Sequence, residues 1–430
     1  MLLQTYGRNK LDLIIALLCC LLCLWTAYRY TSMIIMALML VILGIAWFVL
    51  PKTIIILKKN EKLFIFAFLF FFVSALLSYI TGSGWELKSS RNPSMPSFTD
   101  LDLPSKYLLG ALLFFLFVKL DFKIPRRIVF YAIAGGAMIN GSLAIYERYI
   151  MGHGRVDGWS GIAEMADASA LLGIFSLILF MFAESKKERI FYFCAIFMGC
   201  LAAILTGTRG AMLGMILTFL MIGVVIIWQR RSLLVLFLMG LVAGALSFGV
   251  GSLQASGQDA LRIEIAKSDL HKYQKGQIEG NSIGARFEMW KEAVTMFQMA
   301  PFFGLSTAEI KERMQEIQQK SGSLIARGST YNDAIGKKHN QILNQAAKRG
   351  IVGVIAILLV WFASIKLFLP YLKRSDSMMI SLLGLSMIFY FIFPNSFTGE
   401  PWESNVSLPL MLILISVFWK MIWMDENRAF

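Results

Sequence analysis

The feature that most constrains this chain is a series of apolar runs, each nearly free of charge and most of them long enough to cross a bilayer. A hydrocarbon core of ~30 Å takes about 20 helical residues. The runs fall at 12–28, 33–50, 63–80, 107–120, 128–147, 167–183, 190–206, 211–228, 232–250, 349–369, 377–394 and 407–424. They predict an all-α polytopic membrane protein of about twelve transmembrane helices. Composition agrees, with 57% of residues hydrophobic and 16% charged, against ~25% charged in an ordinary soluble domain. The 107–120 run is the shortest and the weakest of the set. The first run is read as a span and not as a cleaved signal peptide. No small-residue cleavage site lies between Trp25 and Tyr30, and a second run follows at once.

Positive charge orients the spans, because cytoplasmic loops retain Lys and Arg. Counted from a cytoplasmic N-terminus, every second loop is basic, and with the termini these segments hold 20 Lys and Arg. The short loops on the other side hold seven. Both termini are therefore expected inside. The +14 net charge is mostly this topological signal, so it does not point to nucleic acid. All five cysteines (Cys19, Cys20, Cys23, Cys194 and Cys200) fall in spans, which leaves the outer loops without disulfides and the chain without a zinc-type Cys/His cluster.

Three outer segments exceed a tight turn. Residues 81–106 are rich in Ser, Pro and Gly and read as an irregular loop; residues 148–166 carry the Gly-rich MGHGRVDGWSG. The third, 251–348, divides spans 1–9 (residues 1–250) from spans 10–12 and the C-terminus (residues 349–430). It reads as helical. Phe287, Trp290, Val294 and Phe297 recur at helical spacing and predict one buried face. Ser306 and Glu309 form a capping-box pattern that opens a second helix with Ile310, Met314 and Ile317 as its stripe.

Three residues could carry chemistry. Arg209, in LTGTRGAMLG, lies between two spans with almost no room for a loop, and Gly207 and Gly210 beside it allow close backbone approach. Interfacial charges are costly and suggest function, although arginines also snorkel at span ends. Arg286 opens the first loop helix one turn before Trp290, and its planar fork suits phosphate oxygens. The alternative is a solvated helix-start residue. His339, in KKHNQILNQ, precedes the tenth span and suits proton transfer near neutral pH; alone it could equally be incidental. Asp100 and Asp102 form an Asp-x-Asp pair in an outer loop, a pattern that can hold a divalent metal but is also common before a membrane entry such as Pro104. Glu164 and Asp167 flank the sixth span, where they are candidates to line a cavity, without an identifiable role.

LTGTRGAMLG, the Arg-x-x-x-Trp of Arg286–Trp290 and HNQIL from His339 stand in an order that resembles the bacterial O-antigen ligase and polymerase family of integral-membrane glycosyltransferases. GRVDGW around Arg155 is similar to another family element, although the Asn-Pro that often follows is replaced by GIAEMADAS. The resemblance covers roughly 140–370; the first four spans match only in hydropathy.

The resemblance implies a GT-C-like fold with a catalytic periplasmic loop over 251–348, in the inner membrane of a Gram-negative bacterium. It implies an inverting, metal-independent transfer without a cofactor. The donor would be O-antigen on undecaprenyl diphosphate and the acceptor a sugar of the lipid A–core oligosaccharide, both anchored among membrane lipids. His339 would be the general base. Arg209 and Arg286 would stabilise the diphosphate, with Arg155, Trp290 and Asn340 completing the binding set. The nearest rival is an O-antigen polymerase, which extends another lipid-linked chain; twelve spans and a single large loop favour the ligase. A twelve-helix transporter or flippase fits less well, because the spans lack midplane charge and the polar candidates gather on one face.

Overall fold

A computed structural model describes residues 2–50, 55–81, 99–230, 263–277, 282–324 and 338–426. The described residues are helices and their connections, with no strand among them beyond a single bridge between Tyr28 and Trp159. In chain order the bundle begins with α1 (Leu2–Leu24), α2 (Thr31–Val49), α3 (Lys59–Thr81), α4 (Thr99–Lys119), α5 (Arg126–Ile145), α6 (Ile162–Phe182), α7 (Lys186–Leu205) and α8 (Arg209–Arg230). Four loop helices follow: α9 (Ile263–Gln274), α10 (Ser282–Met299), α11 (Thr307–Glu312) and α12 (Met314–Ser321). The chain returns to the bundle through α13 (Gln341–Phe368), α14 (Met378–Ile392), the single turn α15 (Asn395–Thr398) and α16 (Ser407–Glu426). Among the described residues, 10 helices are long and apolar enough to cross a membrane. They match every expected span except 12–28 and 232–250. The first forms the second half of α1, whose beginning carries Arg8, Lys10 and Asp12. The second lies outside the described residues, as do 82–98 of the Ser/Pro/Gly loop.

Exposed apolar side chains show which medium surrounds the bundle. On α1, Leu13, Leu17 and Leu21 face outward at helical spacing while Ile15, Leu18 and Leu22 are buried. Only hydrocarbon accepts such faces on helix after helix. Trp25, Tyr28, Tyr30 and Trp159 are exposed at the α1–α2 turn, where an aromatic belt is favourable. At the centre α16 is almost wholly buried. Its Lys420 is reconciled with that position by donating to the Leu120 carbonyl at 2.7 Å and lying 4.0 Å from the Trp423 ring centroid. At the opposite end from the belt, Lys58 and Arg374 pair with Glu426, and Arg126 pairs with Asp425. Three of the basic loops grouped by the charge count thus meet the end of α16 at one end of the bundle.

The loop helices dock where α13 breaks. Gly350 has φ 60° and ψ −154°, which interrupts the helix. The freed Ile351 N–H donates to the Pro301 carbonyl at 2.8 Å, and Leu305 N–H donates to Ala347 at 2.9 Å. A Cβ on Gly350 would stand 2.4 Å from the Phe302 backbone, so only glycine lets the two main chains cross. Ala293, Met296, Leu305, Ile310, Ile317 and Ala347 form the small core beneath this crossing.

Two expectations about these helices need correction. The buried face of α10 is Met289, Ala293 and Met296 with Glu288 and Glu292, while Val294 is exposed and Phe287, Trp290 and Phe297 are only partly covered. The acids are tolerated inside because they have partners. Glu288 accepts from Tyr273 at 2.7 Å, Lys291 at 2.8 Å and the Leu324 N–H at 2.8 Å; Glu292 faces Lys338 at 3.5 Å. The second helix starts at the expected Ser306–Glu309 capping box and buries Ile310 and Ile317, but it is split at Arg313.

Beside the break in α13, Arg349 and Glu403 form a buried ion pair, with Asn344 and Gln345 also donating to the carboxylate. Burial pushes the Glu403 carboxyl up, but Arg349, Lys348 and the donated hydrogen bonds outweigh it and hold the group at about 2. An unfolded glutamate titrates near ~4.3. Because the folded value is the lower one, the pair's contribution is complete above about pH 5 and disappears as pH falls from ~4 towards 2. Glu403→Gln is expected to cost roughly 3 kcal/mol at neutral pH by leaving Arg349 buried without its counter-charge. Detergent-solubilised variant and parent, melted at pH 7 and pH 2, should differ clearly at the first and nearly converge at the second.

Candidate functional site

The end of α7, the start of α8 and the break between α14 and α16 frame a cavity of about 400 Å³. Its wall includes Arg155, Arg209, Arg286 and His339, which are far apart in sequence. Thr208, Arg209, Gly210 and Ala211 line it from the first turn of α8, so the positive end of a 22-residue helix faces the space. The turn before α8 uses Gly207 at φ 66°. Gly210 lies against α15, where a Cβ would come within 2.8 Å of the Thr398 hydroxyl. The close approach expected at this motif is therefore between α8 and α15.

Arg155 is exposed, and its Nε donates to the Thr206 carbonyl at 2.8 Å, with a longer contact of 3.5 Å from its terminal nitrogen to Thr208. The guanidinium is thereby tied to the turn that leads into Arg209. Arg286 enters from α10. Burial lowers its pKa, and the neighbouring Arg209 guanidinium lowers it further, partly opposed by Glu400. A guanidinium remains protonated under such shifts, so two cations face one another across the cavity. That arrangement favours an anion between them.

His339 stands in the left-handed region at φ 51°, alone among the described non-glycine residues. Three contacts around it set this conformation. Its N–H donates to Glu400 Oε1 at 2.7 Å, and the Lys338 N–H donates to the same oxygen. Trp290 Nε1 donates to the Lys338 carbonyl at 3.0 Å. Asn340 caps α13, its side-chain oxygen accepting from the Ile342 and Leu343 N–H groups at 3.1 Å. Trp290 and Asn340, expected among the binding residues, do not line the cavity. They brace the segment that presents His339.

The acids read without a role also come together here. Glu164 and Asp167 line the cavity from the first turns of α6. Asp167 accepts from the Tyr390 hydroxyl at 2.8 Å and from Asn395 at 3.4 Å, joining α6 to α14 and α15. Glu400 had no sequence signal; only the unwound stretch between α14 and α16 brings it under His339. The Asp-x-Asp pair behaves otherwise. Asp100 and Asp102 stand in the first turn of α4, not in a loop. Asp100 accepts from the Thr307 N–H at 2.9 Å and from its hydroxyl, whereas Asp102 pairs with Lys106 at 3.2 Å. The two carboxylates thus serve different partners.

A cavity walled by three arginines, a helix N-terminus and a histidine can hold a phosphate-type anion and move a proton beside it. Residues 193–358 match the family model described as O-antigen ligase. The matched stretch contains Arg209, Arg286 and His339, whereas Arg155 precedes it. An uncharacterized protein of Haemophilus influenzae is 28% identical over 376 residues, covering 85% of this chain and 87% of that protein.

Proposed function

We propose, given that the chain belongs to the O-antigen ligase family, that it transfers O-antigen polysaccharide from undecaprenyl diphosphate to a sugar of the lipid A–core oligosaccharide. The observation that carries the reading is the convergence of Arg155, Arg209, Arg286 and His339 on one cavity at the start of α8. In this reading the acceptor hydroxyl gives its proton to His339 and attacks the anomeric carbon, with inversion. The bond from that carbon to the diphosphate oxygen breaks, and the electron pair leaves with the lipid diphosphate. Charge grows on that oxygen in the transition state, where preorganised cations lower the barrier most. Arg209 and Arg286 supply the charge, and Arg155 extends the cradle. The charge count supports an inner-membrane protein with cytoplasmic termini, with the cavity and the 251–348 loop at the periplasmic face. A cavity on that side is separated from cytoplasmic nucleotide sugars, which favours a lipid-linked donor.

The test is reconstitution of the purified full-length chain with lipid-linked glycan and lipid A–core. A glycan-bearing lipid A–core product is the expected result. In the cell, loss of the protein should leave bare lipid A–core while full-length polymer accumulates on the lipid carrier. A core capped by a single repeat unit would instead identify a polymerase. Unchanged lipid A–core and lipid-linked glycan in the absence of the protein would exclude both.

A further inference from the structure

Beyond the cavity, the helix α5 ends in a π-helical turn, Tyr146–Ile150, and the Gly-rich loop then folds back over it. We propose that Glu147, His153 and Asp157 in this segment form a binding site for a divalent transition-metal ion, with Zn²⁺ as the best match. One ligand atom from each residue lies within 4.8 Å of the other two. Two ligand atoms ~2 Å from a common ion stand about 3–4 Å apart, so the set needs to contract by about 1 Å. The inner member is already fixed. Glu147 is buried, and its Oε2 accepts from the Asp157 and Gly158 N–H groups, both at 3.1 Å. The loop is also closed by the His153 N–H donating to the Glu147 carbonyl at 2.9 Å, and by Arg148 donating to the His153 carbonyl at 3.0 Å. His153 and Asp157 lie on the rim, half-buried and exposed, with freedom to adjust.

Donor chemistry selects the ion. An imidazole nitrogen beside two carboxylate oxygens suits a borderline divalent ion better than Mg²⁺ or Ca²⁺, which prefer all-oxygen sets. A cation between Glu147 and Asp157 also relieves the repulsion of two close carboxylates, one of them buried. None of the three residues lines the 400 Å³ cavity, so the ion is structural and takes no part in the reaction there. Its effect would reach the cavity through Arg155, which lies between His153 and Asp157 in the chain and is tied to Thr206. Closing the loop on a metal holds that arginine in place.

The test uses tag-free, full-length protein in detergent, stripped with a chelator, dialysed against micromolar ZnCl₂ and assayed for bound zinc by mass spectrometry. One equivalent per chain is expected in the parent, with loss of that equivalent in His153→Ala and in Asp157→Asn. These rim variants avoid the buried Glu147, whose replacement could unfold the segment. Zn²⁺ should also raise the thermal midpoint of the parent and slow tryptic cleavage after Arg148 and Arg155, with neither effect in the His153 variant. Absence of bound zinc in the parent overturns the proposal. Equal zinc in parent and variants does so too, by moving the ion to other donors such as Cys19, Cys20 and Cys23. Binding is read without any transfer assay, so this result and the reading of the cavity stand or fall separately.

Discussion

Replacing His339 with asparagine is expected to lower glycan transfer by roughly 10²–10⁴-fold while the chain stays folded, the range associated with loss of a positioned general base. Asparagine is the informative substitution because His339 occupies the left-handed region at φ 51°. Asparagine tolerates that conformation, whereas alanine adds a backbone penalty of ~1–2 kcal/mol. Both lack a basic imidazole. If asparagine melts like the parent and is as inactive as the less stable alanine variant, the loss is chemical. A transfer rate like the parent's in both would end the assignment of His339 as the base. Glu400→Ala provides the complementary measurement. Glu400 accepts the N–H groups of Lys338 and His339, so its removal frees the backbone that aims the imidazole. A fall in kcat of up to ~10²-fold is expected, the effect of misplacing a catalytic group by about 1 Å.

The arginines give the second large effect. Arg209→Lys and Arg286→Lys keep a positive charge but lose the planar fork, and each is expected to reduce transfer by roughly 10²–10³-fold. The two residues act on one developing charge, so the double variant should fall short of the product of the single effects. Reconstituted transfer with saturating donor separates the alternatives. A change confined to KM would mean that the arginines bind ground state and transition state alike. Full activity in both lysine variants would remove the bidentate-phosphate argument. Arg209 and Arg286 are both half-buried and stand close together, so each substitution carries structural risk. A melting measurement on each variant therefore accompanies the kinetics.

Much of this site was legible one motif at a time. Arg155, Arg209, Arg286 and His339 were marked by local cues: a charge between two spans, a helix start beside a tryptophan, a histidine before a membrane entry, and motifs in a familiar order. Trp290 and Asn340 were marked by the same motifs, yet their side chains secure Lys338 and cap α13. A motif does not distinguish a residue that lines the cavity from one that supports its neighbour. Glu400 and Asp167 show the converse. Their hydrogen bonds run from α6 to α14 and α15, and from the α14–α16 connection back to His339, with no sequence period to announce them.

The α10 face was misread for a related reason. Apolar spacing favoured Phe287, Trp290, Val294 and Phe297, but Glu288 and Glu292 turned inward because Tyr273, Lys291, Leu324 and Lys338 were there to receive them. A buried acid looks like a surface acid until its partners are known.

By itself the sequence determined that the chain crosses a membrane many times, where most spans lie and which loops share a side. Those properties are sums over neighbouring residues: hydropathy over about 20 positions and charge over short loops. Only the tertiary structure decided which residues meet. The break in α13 at Gly350 seats the loop helices, and the unwound connection between α14 and α16 brings Glu400 beneath His339. Both depend on backbone groups satisfied across long sequence separations, and such pairings leave no local trace in the chain.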